Sequence, residues 1–259
     1  MLEKNNFMDK YILPLILKPK FETELIRLGK NNDGGYLIPQ KSLNSSDKLY
    51  SFGLNDDYSF EKDFFNKTNV EVVCFDESVN YKFFLKHILH GKFIKFFQYL
   101  GYRFFFDGKK RKHIKKNIIP KGTFFLNHEI NSSDIDSIIN ENSSENLFFK
   151  IDIEGSEYRI LSQLIKHSSR ISGLVIEFHD CDLNLDKIIN FVENFELQIV
   201  HIHVNNWGYI SPSRFPQCLE ITFSPKEFNS KLKDEGKKYP ISLDQSNNSN
   251  SRDLPLEFN

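Results

Sequence analysis

Three apolar runs with helical spacing between them constrain this chain most. Segments 147–153, 173–178 and 197–204 read as short strands buried on both faces. Between them, 156–167 and 185–195 carry apolar residues at a helical period. Strands alternating with helices of that length call for a parallel sheet with helices on its faces. The same rhythm appears earlier. Strand 48–54, helix 58–67 with Phe60, Phe64 and Phe65 on one side, and strand 70–75 form a β-α-β unit. Segment 123–130 reads as a further strand, before a short helix at 133–139. Segment 219–223 follows 197–204 with no room for a helix, so it predicts an antiparallel hairpin at the sheet's end. The expected fold is α/β: Rossmann-like, doubly wound, a mostly parallel seven-stranded sheet with an antiparallel last strand.

At 259 residues the chain predicts one domain spanning 1–259. It contains no alanine, the strongest helix former, which argues against a long coiled coil. Cys74, Cys181 and Cys218 are far apart and odd in number, so no disulfide framework or CxxC zinc motif is present. The apolar run 11–17 is too short to span a bilayer, and it has no small-residue cleavage site. A cytoplasmic protein is expected. The formal net charge of -1 gives no reason to expect a nucleic-acid partner.

That total conceals a division. Segment 79–121 holds twelve Lys or Arg and one acid, Asp107, a local charge of +11, so the remainder carries -12. The segment is also rich in Phe and Tyr, and reads as a basic aromatic helical insertion or cap. A solvated cap, a clamp for a phosphorylated substrate and peripheral contact with an anionic membrane all fit that composition. Residues 229–259 form a polar tail, either disordered or strapped across the domain.

Ligands of open α/β sheets sit beyond the carboxyl ends of the strands. The first strand ends Phe52-Gly53, with Asp57 following; the second ends at Asp76-Glu77. A pyrophosphate would want several glycines there. One glycine followed by acids suits a cationic ligand instead, with Asp76 placed for ribose hydroxyls. An adenosine ligand carrying positive charge, such as S-adenosylmethionine, fits. Later strand ends carry Asp152 with Glu154, Glu177 with His179, and His201 with His203 and Asn205. Each set shares a face, because side chains alternate along a strand. Carboxylates beside imidazoles could hold a divalent cation (Mg or Mn) through Asp152, Glu177 and His179, or supply a general base at His179 or His203. Ordinary strand tips and helix starts at Ser156 and Asp182 would explain the same letters.

These residues resemble a family. Arg27-Leu28-Gly29, Asp33-Gly34-Gly35-Tyr36-Leu37-Ile38-Pro39, Ser51-Phe52-Gly53 with Asp57, Ser59-Phe60-Glu61, and above all the string Lys150-Ile151-Asp152-Ile153-Glu154-Gly155-Ser156-Glu157-Tyr158 are similar to the FkbM-like methyltransferases. The resemblance runs over about residues 25–225. It implies a class I fold and an S-adenosylmethionine-dependent O-methyltransferase of sugars in polysaccharide or capsule pathways, with a sugar or nucleotide-sugar acceptor. It further implies that Phe52, Gly53 and Asp57 border the methionine end of the cofactor. Asp76, with Glu77, takes the ribose, and Asp33, Gly34 and Tyr36 close over the cofactor. Asp152 lies between cofactor and acceptor, with Glu154, His179 and His203 as further catalytic candidates. The acid-x-Gly-x-Gly motif of class I methyltransferases is reduced here to Gly53. Two alternatives keep the same letters: a non-catalytic binder of membrane or RNA acting through 79–121, and a methyltransferase of a small phosphorylated or amine metabolite.

Overall fold

Short β-branched and aromatic runs set the strands. The computed structural model describes residues 10–54, 57–76, 132–143, 145–208, 211–212, 214–231 and 236–259. In chain order, β1 (Tyr11–Leu13), β2 (Phe21–Glu22), β3 (Leu25–Leu28) and β4 (Tyr36–Pro39) lead into α1 (Gln40–Ser45). Then follow β5 (Lys48–Phe52), α2 (Ser59–Thr68), β6 (Glu71–Phe75), α3 (Ser132–Asn140), β7 (Leu147–Ile151) and α4 (Leu161–Lys166). The chain continues through β8 (Ile171–Phe178), α5 (Cys181–Asn194), β9 (Gln198–Val204), β10 (Leu219–Ser224), β11 (Ser230–Lys231) and β12 (Leu256–Phe258).

The central sheet has the order β6-β5-β7-β8-β10-β9, six strands among the described residues. The first four run parallel, and β10 is antiparallel to both β8 and β9. The anticipated β9–β10 hairpin is present, but β10 does not end the sheet. It turns back and inserts between β8 and β9, leaving β9 outermost. All six residues of β10 are buried, and insertion gives both its edges a hydrogen-bonding partner. The seventh strand anticipated at 123–130 and the 79–121 insertion lie outside the described residues.

Alternation sends the strand side chains to two cores. Tyr50, Phe52, Phe149, Ile176 and Phe178 join one cluster with α3, α4 and α5. Leu49, Phe148 and Val175 join another with α1 and α2, through Leu43, Phe60, Phe64 and Phe65. Helices therefore cover both faces, as the strand–helix rhythm predicts. Each fully buried Phe, such as Phe64 or Phe148 at 0% exposure, contributes about 1.5–3 kcal/mol over an exposed one.

The second face changes character along the sheet. On β6, β5 and β7 it is mainly apolar, with Ser51 and Lys150 its buried polar residues toward the strand ends. On β8, β10 and β9 it carries Glu177, Glu220, Thr222, His201 and His203, all buried. Such groups need partners. The β3–β4 hairpin supplies one, with Leu37 O accepting from Thr222 Oγ1 at 2.8 Å. Tyr36 and Asn205 serve Glu177, and the tail serves His201, Glu220 and His203. It straps across the domain: Asp244 meets His201 at 2.8 Å, Asn247 meets Glu220 at 2.7 Å, and Asp253 meets His203 at 3.0 Å. Beyond them β12 pairs in parallel with β1.

Candidate functional site

The turn after β5 is built around a glycine. Gly53 has φ +78°, and a Cβ there would come within 1.6 Å of Asp152 O. Its N–H donates to Phe75 O at 2.9 Å, and the next N–H, of Leu54, donates to Asp76 Oδ2 at 2.6 Å. Adjacent strand ends are thus drawn together with little side-chain bulk between them. Gly53→Ala is expected to destabilise the fold by more than the roughly 1–2 kcal/mol of a left-handed L-residue, because backbone must also move. Urea unfolding measures this, and a loss under 0.5 kcal/mol, within the usual spread for exposed substitutions, would contradict the geometry.

The structure ties other residues of the expected cofactor loop into the fold. The Phe52 ring stacks on Phe75 at 4.8 Å in the core; only its carbonyl reaches the strand end, accepting from Asp152 N at 2.9 Å. Asp57 accepts from Ser59 N at 3.0 Å at the start of α2 and pairs with Lys30 at 3.1 Å. Gly34 has φ +85°, and a Cβ there would lie 2.5 Å from Asp57 Oδ2. Glu77 lies outside the described residues.

The centre is a chain of polar groups on the second face, buried at Lys150, Tyr36, Glu177 and Asn205. Lys150 Nζ donates to Gly53 O and, at 3.5 Å, to Asp152 Oδ2. Burial alone would lower the Lys150 pKa, but Asp152, Glu61 and Glu177 outweigh it and hold the ammonium charged. Tyr36 Oη lies 3.1 Å from both Asp152 Oδ2 and Glu177 Oε2. One phenol carries one proton, so it cannot donate to two carboxylates at once. Burial, then the charges of Asp152 and Glu220, push the Glu177 carboxyl well above its usual range. A protonated Glu177 donating to Tyr36, which donates to Asp152, satisfies the chain. Glu177 Oε1 accepts from Asn205 Nδ2 at 2.8 Å. Asp33, also raised by burial, lies 3.3 Å from Asn247 Nδ2 and 3.5 Å from Asn205 Nδ2.

His179 stands at the mouth of this chain. Its Nδ1 meets Glu157 Oε1 at 3.0 Å. That same oxygen accepts the N–H groups of Ile153 and Gly155 at 3.1 and 3.2 Å, so the carboxylate is fixed. Nε2 faces Glu154 Oε2 at 3.5 Å, Glu177 Oε1 at 3.7 Å and Asp152 Oδ1 at 3.9 Å. Two left-handed residues, Glu154 (φ 53°) and Asp180 (φ 47°), flank the cluster. Each costs about 1–3 kcal/mol, and such strain collects at functional sites. Glu154 turns its mostly exposed carboxylate back toward His179. Ser156 opens only a short 3-10 turn, Glu157–Arg159, and α5 starts one residue before Asp182.

His203 does not fit the role of base. It is buried, with Nδ1 3.1 Å from Glu220 Oε2 and Nε2 3.0 Å from Asp253 Oδ2. Burial alone would lower its pKa; the two carboxylates raise it to about 10. It is a fixed imidazolium tying the tail to the sheet. His179 is raised to about 9 against the same burial effect, by Glu157 first. Both pKa values lie above the unfolded value of 6.5. Their stabilisation is complete below pH 6.5 and disappears as pH rises through 9 to 10. Each proton lost on unfolding is worth about 1.4 kcal/mol per pH unit. Urea midpoints are expected to fall between pH 6.5 and 8.5; equal midpoints would contradict these pairings.

No family model and no curated protein matches this chain. The site therefore rests on its own chemistry. The structure gathers Asp33, Tyr36, Gly53, Asp76, Asp152, Glu154, Glu177 and His179 at one end of the sheet. It adds Lys150, Glu157, Asn205, Glu220 and Cys218, which the pattern of letters gives no role. Lys150 and Glu157 belong to the 150–158 string and Asn205 shares a face with His203, so those three have a local signal. Among the described residues, two sets of side chains could hold a cation: Asp152 with Glu154 and His179, and Glu177 with His179 and Cys218. Among the described residues no helix is long and apolar enough to cross a membrane.

Proposed function

We propose that the chain is an S-adenosylmethionine-dependent O-methyltransferase of class I fold, acting on the hydroxyl of a sugar or nucleotide-sugar. The observation that carries this reading is the acid-rich carboxyl end of the sheet, where Asp76 grips the single-glycine turn and Asp152 borders it. A dinucleotide would bring pyrophosphate against those carboxylates; a sulfonium brings a positive charge they favour. The antiparallel β10 matches the last strand of the fold implied by the resemblance.

When bound, the cofactor supplies an electrophilic methyl group: its C–S bond breaks as a C–O bond to the acceptor forms, and the hydroxyl proton leaves. The protein's work is alignment and proton removal. Gly53 and Leu54 border the methionine end, and Asp76 takes the ribose. Asp152 Oδ1 receives the acceptor proton, while Tyr36 and Lys150 hold Oδ2. His179, charged below pH 9, orients Asp152 and Glu154 rather than acting as the base. The +11 charge of 79–121 suits the diphosphate of an activated sugar.

Calorimetry with S-adenosylhomocysteine tests the cofactor, and a panel of nucleotide-activated sugars with labelled cofactor tests the acceptor. Saturable binding in a one-to-one ratio is expected. No binding, together with salt-dependent binding to anionic vesicles, would replace this reading with a surface-binding role for 79–121.

A further inference from the structure

Outside the proton chain, one group has no work in methyl transfer. Cys218 is buried, with 9% exposure, and its thiol makes no hydrogen bond among the described residues. Yet it sits in a polar cluster: ligand atoms of Glu177, His179 and Cys218 all lie within 4.8 Å of one another. A second observation concerns the imidazole. His179 gives Nδ1 to Glu157, a carboxylate with 0% side-chain exposure fixed by two backbone N–H groups, and turns Nε2 inward. Metal-binding histidines are oriented in this way, with the second nitrogen bound to a carboxylate.

We infer that Glu177, His179 and Cys218 form a site for a borderline divalent metal of the zinc, cobalt or iron(II) class. Donor chemistry and spacing both favour this over the magnesium or manganese ion expected from the carboxylates alone. A thiolate and an imidazole select borderline and softer ions, whereas magnesium wants oxygen. Donors on a tetrahedral ion with bonds of about 2.0–2.3 Å sit roughly 3.3–3.7 Å apart, whereas octahedral magnesium at about 2.1 Å brings them to roughly 3.0 Å. The separation of His179 Nε2 from Glu177 Oε1 is 3.7 Å. Binding would release three protons to solvent: the thiol proton, the Nε2 proton and the Glu177 carboxyl proton. Three protein ligands leave a position for water or a substrate oxygen, on the side where Asp152 and Glu154 face His179.

The site shares Glu177 and His179 with the proposed proton chain, so metal binding is tested apart from methyl transfer. The test is titration of the chelator-treated full chain with cobalt(II), without any cofactor. One cobalt per chain is expected, with a thiolate-to-cobalt charge-transfer band. Cys218→Ser should remove the band, while Glu157→Gln should keep it and weaken cobalt binding about 10–100-fold. Circular dichroism checks that both variants fold. No band in the wild-type chain overturns the proposal whatever the variants do, and so does a band that survives in Cys218→Ser, since Cys74 or Cys181 would then be its source. Calorimetry with S-adenosylhomocysteine on metal-free protein judges the methyl-transfer reading separately.

Discussion

Asp152→Asn is expected to lower the single-turnover rate of methyl transfer by about 10²- to 10⁴-fold, the usual worth of a positioned proton acceptor. Binding of S-adenosylhomocysteine should change much less. Asparagine keeps the shape and one oxygen, so Tyr36 can still donate there. Lys150 retains the Glu61 charge nearby and Gly53 O as an acceptor, so the core need not open. The substitution removes chiefly the charge that receives a proton. A rate within tenfold of the parent, in protein with an unaltered unfolding midpoint, would remove Asp152 from that role and leave Glu154 as the next carboxylate to try.

His203→Ala should produce the largest loss of stability, about 3–5 kcal/mol, as when one partner of a buried ion pair is deleted. The imidazolium lies between Glu220 and Asp253, and both are largely removed from water. Taking it away leaves two carboxylates facing each other. Adding Asp253→Asn should recover part of the loss, because one of the stranded charges goes with it. Additive losses in the double variant would show that the residues do not interact, since contacting pairs normally couple.

Much of this fold could be read from letters because its signals are local. The β-α-β unit at 48–75 and the alternation from 147 to 204 depend on neighbours a few residues apart, and the structure reproduces both to within a few residues. Alternation also placed Glu177 with His179, and His201 with His203 and Asn205. What it could not say is that these sets share one face of one sheet. That depends on β10 entering between β8 and β9, a choice of edges that no short window encodes. Bonds joining Tyr36 to Asp152 and Glu177, or Asp33 to Asn247, cross 116 to 214 residues. His203 shows the same limit. A histidine at a strand tip looks like a base until Asp253, fifty residues later, is seen to hold its second nitrogen.

The strap has a consequence for synthesis. A ribosome makes residues 48–224 before residues 244–258, so the six described strands of the central sheet have emerged before the strap. At that moment His201, His203 and Glu220 still lack the partners that Asp244, Asn247 and Asp253 will bring, and β1 still waits for β12. The nascent domain must therefore hold an unfinished polar face until residues 244–258 arrive. Contacts of such sequence separation form late and slowly. Ribosome-stalled chains ending near residue 240 should accordingly be cut by protease far faster than the released protein.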